Sequence, residues 1–177
     1  MNDNTLEKKH ELYDKWTFWA HLPHDTDWSL SSYQKLVTIS SLEEVVTINN
    51  IIPNEMVCNC MLFVMRNGIN PLWEDSHNRD GGSFSFKIDN SDVAELWKEM
   101  VYKLVGEDLF INENSVKKIT GVTISPKKNF CILKIWIKDC SEQNVSKLNI
   151  NNKLNVNGCL FKKHIAGKNS SKSSKIY

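Results

Sequence analysis

The sequence predicts an α+β domain in which a curved antiparallel β-sheet carries helices on one face. Three observations predict it. Short stretches of aromatic and β-branched residues recur along the chain, several with clean two-residue alternation. Short turns join neighbouring stretches, which favours antiparallel pairing over crossover connections. Two longer stretches place apolar residues at i, i+3/i+4 spacing behind capping signals, as helices packed on a sheet do. A chain of 177 residues with 41% hydrophobic and 24% charged residues suits one globular domain with a sizeable core. The expected organisation is a flexible N-terminal arm (1–10), one domain (11–166) and a flexible tail (167–177).

In order, residues 13–22 read as a strand with Trp16 and Phe18 on one face and Trp19 on the other. Pro23-His24-Asp25-Thr26-Asp27 breaks it into a polar loop that strands Trp28 among Asp, Thr and Ser. Residues 36–39 form a short strand. Ser41 and Glu44 have capping-box spacing, so a helix starts there and runs towards Asn50, with Pro53 beyond its end. Residues 61–65 are apolar on both faces, the mark of a central strand. Arg66-Asn67-Gly68 turns the chain towards Asn70-Pro71-Leu72-Trp73-Glu74-Asp75. After a turn at 78–82, residues 83–88 alternate as a strand. Ser91 is the expected cap of the strongest helix, where Val93, Leu96, Trp97, Met100, Val101 and Leu104 share a face and Gly106 stops the run. Residues 121–125 and 130–137 form two strands joined by the hairpin loop Pro126-Lys127-Lys128-Asn129. Residues 142–150 read as a third, polar helix, and Leu160 and Phe161 as part of a last short strand. From Ala166 the chain is rich in Ser, Lys and Gly.

Charge and cysteine usage exclude several classes. A formal net charge of +1 leaves no general positive field for coating nucleic acid, so any contact with RNA is made by a few placed cations. The five cysteines are odd in number and include no C-x-x-C pair, which fits a reducing compartment. The first residues are polar, no secretory leader is expected, and no apolar run approaches membrane-spanning length. A cytoplasmic monomer with no membrane contact and no cofactor is expected, with the nucleus as a second compartment open to it.

Trp73-Glu74 sets a flat π surface beside a carboxylate, on a loop stiffened by Pro71. A cationic planar ring with two adjacent N–H donors, such as an N7-methylated guanine, would stack on Trp73 and donate to Glu74. Trp28 on its own polar loop could close the other side. Cation–π attraction adds about 2 kcal/mol or more for a desolvated cation, beyond base stacking of ~1–3 kcal/mol. Lys127 and Lys128 on the hairpin would meet a phosphate chain.

With these pieces the chain resembles the messenger-RNA cap-binding translation initiation factors, eukaryotic initiation factor four-E and its relatives. The resemblance rests on His10-x5-Trp16-x2-Trp19, the loop Trp28, Trp73-Glu74-Asp75 followed by Gly81-Gly82, the helix from Ser91-Asp92 to Leu104-Val105-Gly106-Glu107, and Lys134-Ile135-Trp136. It implies an eight-stranded sheet backed on its convex face by three helices. It implies that Trp28 and Trp73 stack the 7-methylguanine, that Glu74 bonds its edge and that Trp136 lies against the N7 methyl group. Lys127 matches a phosphate-binding position. Ser83, Asn129 and Ile132 stand where relatives carry cations, and Lys128 or the tail residue Lys168 could compensate. On the convex helical face the resemblance implies a scaffold factor or inhibitory peptide as partner, at His10, Leu42, Val46, Lys98 and Tyr102. There Glu11 replaces a usual proline, Val46 a usual tryptophan, and Lys98 and Tyr102 usual leucines.

Three rivals stand beside promotion of initiation by a cap-binding protein. A cap binder with an altered partner groove would repress translation. Glu74, Asp75, His77 and Asp80 could hold a metal for hydrolysis, though no catalytic motif accompanies them. A structural domain would use all six tryptophans in its core.

Overall fold

The computed structural model describes residues 9–164. Seven strands, β1 (Glu11–His21), β2 (Tyr33–Ser41), β3 (Met61–Arg66), β4 (Gly82–Asp89), β5 (Ile119–Pro126), β6 (Phe130–Ile137) and β7 (Leu160–Lys163), form one sheet in the order β2-β1-β3-β5-β6-β4-β7. Every neighbouring pair is antiparallel. Helices α1 (Leu42–Ile51), α2 (Asn54–Asn59) and α3 (Val93–Val105) cover one face, and a single turn, α4 (Glu113–Val116), leads into β5. The described residues thus hold seven strands where eight were implied. The only other pairing among them is an isolated bridge from Phe110 to Leu148. The terminal arm and tail lie largely outside the described residues.

Two-residue periodicity gives the sheet two different faces. Trp16, Phe18 and Ala20 of β1, Leu62 and Val64 of β3, Phe84, Phe86 and Ile88 of β4, and Leu133, Ile135 and Ile137 of β6 pack with Val45, Val57, Leu96, Trp97, Met100 and Leu104 into the main core. The alternate residues form a second cluster on the helix-free face, with Phe63, Met65, Ile69 and Trp136 packed by Trp19, Tyr33 and Met61. β3 is apolar in both directions because it serves both clusters.

The helices follow the sequence rules with three corrections. Ser41 does cap α1 in a full capping box: its hydroxyl accepts from the Glu44 amide, and the Glu44 carboxylate accepts from the Ser41 amide. Ser91 does not cap α3. Asp92 is its N-cap and makes no capping bond; its carboxylate pairs with Lys153 at 3.2 Å. Pro53 stops α1 but also starts α2, where its missing N–H leaves no helical bond unmade. Residues 142–150 are not a helix. Val145–Lys147 make one 3₁₀ turn under an Asn144 cap, and the stretch has no apolar stripe whose burial could offset helix nucleation.

Two features fix the loop before β4. A Cβ on Gly81 would collide with the backbone of Ile137, and one on Gly82 would stand 2.7 Å from the Lys162 carbonyl oxygen. The glycine pair lets β4 enter between β6 and β7 at backbone contact distance. Arg66, at the end of β3, ties the sheet to the end of α3. It donates to Asp14 at 2.7 Å, to Glu107 at 2.7 and 3.1 Å and to the Ile119 carbonyl, and it lies 4.4 Å over the Trp16 ring.

Candidate functional site

The helix-free face carries most of the residues expected to bind a ligand. Trp28 sits on the loop after β1 and is 55% exposed. It is not adrift: the buried His21 imidazole lies parallel to it, ring centroids 4.4 Å apart. His21 Nε2 is 2.8 Å from the Asp27 carbonyl oxygen of the same loop, and the Tyr33 ring stands edge-on to His21 at 4.9 Å. One face of Trp28 is therefore backed by the sheet. Asp27 accepts from the Ser29 amide and hydroxyl, which hold its carboxyl below the usual range and keep the loop turned.

Trp73 and Glu74 sit on the loop between β3 and β4, and Trp73 is 40% exposed. Their neighbours build that loop. Asp75 accepts from the Asn70 amide at 3.0 Å and from the His77 amide at 2.9 Å. Burial alone would raise the Asp75 carboxyl, but the His77 and Asn70 amides and the His77 ring hold it below the usual carboxylate range. Asn78, fully buried, donates to the carbonyls of Asn70 and Leu72. Glu74 is left exposed, and its charge reaches two groups beyond its own loop. Burial first, and Glu74 second, push the Tyr33 hydroxyl up to about 12. Glu74 also acts on His164, which burial holds below the usual imidazole range and whose Nδ1 lies 2.8 Å from the Asn78 carbonyl oxygen. Tyr33 thus connects the two loops: it touches the support of Trp28 and feels the carboxylate beside Trp73.

Trp136 is nearly buried in the second cluster, with the His164 ring against it at 4.8 Å. Lys127 and Lys128 are exposed at the β5–β6 turn. Together with His21, Trp28, Met61 and Ser125 they line a groove of about 470 Å3. Trp73 and Glu74 do not line it, whereas Trp28 does. Asn129 is exposed beside the lysines. Ser83 and Ile132 carry no charge to this face, and Lys168 lies outside the described residues.

On the helical face, His10 Nδ1 stands 2.7 Å from Glu43. Leu42 and Val46 of α1 and Tyr102 of α3 are exposed, and Lys98 is partly so. The five residues expected to meet a partner protein therefore lie on the side opposite the tryptophan loops. A separate cavity of about 450 Å3 runs between β2 and α1, lined by Val37, Ile39, Ile48 and Ile51 among others.

Two residues that brace the tryptophan loops escaped sequence reading: His21 and Tyr33. The signal for His21 was present in part, since it follows Trp19 by two residues and so shares its face of the strand. The acidic cluster does not assemble a metal site. Asp75 spends its oxygens on the loop, and among the described residues no three His, Cys, Asp or Glu side chains are placed to hold a metal ion.

The fold and site define a single-sheet α+β binding domain with a helical face and an aromatic, partly basic face. The family model "Eukaryotic initiation factor 4E" matches residues 11–176, and the chain belongs to that family. It is 31% identical over 150 residues to eukaryotic translation initiation factor 4E of Eremothecium gossypii, covering 81% of this chain and 69% of that one. It is 32% identical over 143 residues to eukaryotic translation initiation factor 4E-1 of Schizosaccharomyces pombe, covering 77% of this chain and 64% of the relative. Among solved structures, schistosome eIF4E complexed with m7GpppG and 4E-BP superposes with a TM-score of 0.71 at 23% identity, over 79% of this chain and 78% of that one. Ascaris suum eIF4E-3 with an m2,2,7G cap superposes with a TM-score of 0.73 at 19% identity, over 91% and 94%.

Proposed function

We propose that this chain binds the 7-methylguanosine cap of messenger RNA and acts in translation initiation. One observation carries the reading: the tryptophans divide by role. Trp16, Trp97 and Trp136 are buried and Trp19 is partly buried, whereas Trp28 and Trp73 are exposed on two loops at the helix-free face. A structural domain would have buried them all. Two exposed indoles on braced loops offer stacking area to a planar ligand, and Glu74 offers acceptors to its N1–H and N2–H donors. Trp136 would lie under the N7 methyl group, and Lys127 and Lys128 would meet phosphate, with Lys168 of the tail as a third cation.

The mechanism is binding without catalysis. The cationic base gains cation–π attraction from two indoles and a charge-assisted pair of hydrogen bonds from Glu74. An unmethylated guanine lacks the positive charge and loses the first of these. The family membership and the cap ligands of the superposed eIF4E structures support the reading. The 4E-BP bound to the schistosome protein supports a scaffold or inhibitory partner for His10, Leu42, Val46, Lys98 and Tyr102. Val46 offers such a partner a smaller anchor than an aromatic residue would. The cytoplasm is the proposed place of action.

Trp28→Ala and Trp73→Ala test the reading. Each is expected to keep the thermal midpoint and circular dichroism of the parent while weakening binding of 7-methyl-GTP about tenfold or more. Folded variants with undiminished affinity would refute it.

A further inference from the structure

The helix-free face holds a cationic pair that neither the hairpin lysines nor the tryptophan loops account for. Lys134 stands on β6, two residues before Trp136 and on the same face. Across β4, Lys162 stands on β7. The register makes the relation explicit: Ser83 of β4 is opposite both Trp136 and Lys162, and Ser85 is opposite Lys134. The two lysines thus flank β4 diagonally, beside Trp136, on the face that carries Phe63 and Thr123.

Lys134 is partly buried, yet among the described residues no carboxylate pairs with it or with Lys162. Burial is the main cause that holds its ammonium below the usual lysine range, and the charges of Lys162 and Lys127 add to it. Lys134 thus lies within reach of two other cations and, among the described residues, has no carboxylate partner of its own. Thr123, opposite Lys134 on β5, has a buried hydroxyl without a hydrogen-bond partner among the described residues, and the Trp136 indole N–H is likewise unpartnered. A partly desolvated cation, like-charged neighbours and unused donors are costly for a bare protein. A bound polyanion would offset the cation's desolvation and the repulsion between the lysines.

We propose that Lys134 and Lys162 form the main phosphate-binding locus of this chain, so that the phosphate chain of the ligand runs across β4 beside Trp136, with Lys127 holding one end. The proposal deepens the cap-binding reading and rests on it for the identity of the base. It assigns the grip on phosphate to the sheet surface, with the exposed hairpin residue Lys128 in a minor role.

The test uses the full chain and tryptophan quenching by 7-methylguanosine, 7-methyl-GTP and inorganic tripolyphosphate, each at low and moderate salt. Lys134→Ala and Lys162→Ala are each expected to weaken 7-methyl-GTP binding about tenfold and to flatten its salt dependence. Affinity for the nucleoside should stay at the parent level, and Lys134→Arg should restore most of the loss. Unchanged 7-methyl-GTP affinity in the Lys134→Ala/Lys162→Ala double variant would overturn the proposal, as would equal losses for nucleoside and triphosphate. If the parent does not prefer methylated nucleoside over guanosine, the cap reading fails. Tripolyphosphate binding that depends on both lysines would then still uphold the anion locus, and its absence would overturn that as well.

Discussion

At the scale of single residues, neighbours in sequence have separate tasks. Glu74 is exposed and Asp75 beside it is committed to the loop. Glu74→Gln should therefore leave stability unchanged and weaken 7-methylguanosine binding by about 1.5–3 kcal/mol, the worth of a hydrogen bond to a charged group. Asn78→Ala should instead lower stability by about 1–3 kcal/mol, because two carbonyls of the Trp73 loop lose their donor; urea unfolding measures the difference. On the other face, the His10 side chain and backbone amides hold the Glu43 carboxyl down to about 2. Because that folded-state value is depressed, the pair's contribution is complete above the ordinary carboxylate range, near 4.5, and is lost as pH falls towards 2. A carbon-detected NMR titration of Glu43 should show a midpoint near 2 in the parent and a rise towards the ordinary value in His10→Ala. The tryptophans and Glu74 were legible because their types are conspicuous in polar loops. For His21 the spacing from Trp19 gives only its face of the strand, since nothing local tells that its ring turns back to lie parallel to Trp28.

At the scale of elements, what could be read depended on how local the cause was. The α1 cap and the apolar face of α3 are properties of a few consecutive residues, and both stand as the spacing predicts. Trp97, buried on α3, should cost about 3–5 kcal/mol when replaced by Ala, the usual range for a large core aromatic, with the ligand face unaltered in the remaining folded protein. The misread elements had non-local causes. α2 needs Val57 to find the core beneath the sheet, and its proline reads equally well as a stop. The stretch 142–150 has helix-compatible polarity, but its one deeply buried residue, Leu148, serves a bridge to Phe110. Asp92, not Ser91, is the N-cap of α3, and its carboxylate bonds a lysine 61 positions along the chain rather than the helix end.

At the scale of the whole molecule, one sheet separates stability from recognition. The helix-backed face contains the main core, and the opposite face carries Trp28, Trp73, Glu74, Trp136 and the lysines. The antiparallel α+β class was legible from alternation and short turns. The strand order was not, because β4 pairs with β6 and β7 rather than with its predecessor in the chain. That order alone brings Lys134 and Lys162 to the two sides of Ser83 and Ser85. The central claim is that Trp28 and Trp73 grip a cationic base, and the most direct measurement is a parallel fluorescence titration with 7-methyl-GTP and GTP. The account predicts saturable tryptophan quenching by the methylated nucleotide and binding of GTP weaker by about tenfold or more. Equal binding of the two would contradict it, and would mean that the fold persists without a site for the methylated base.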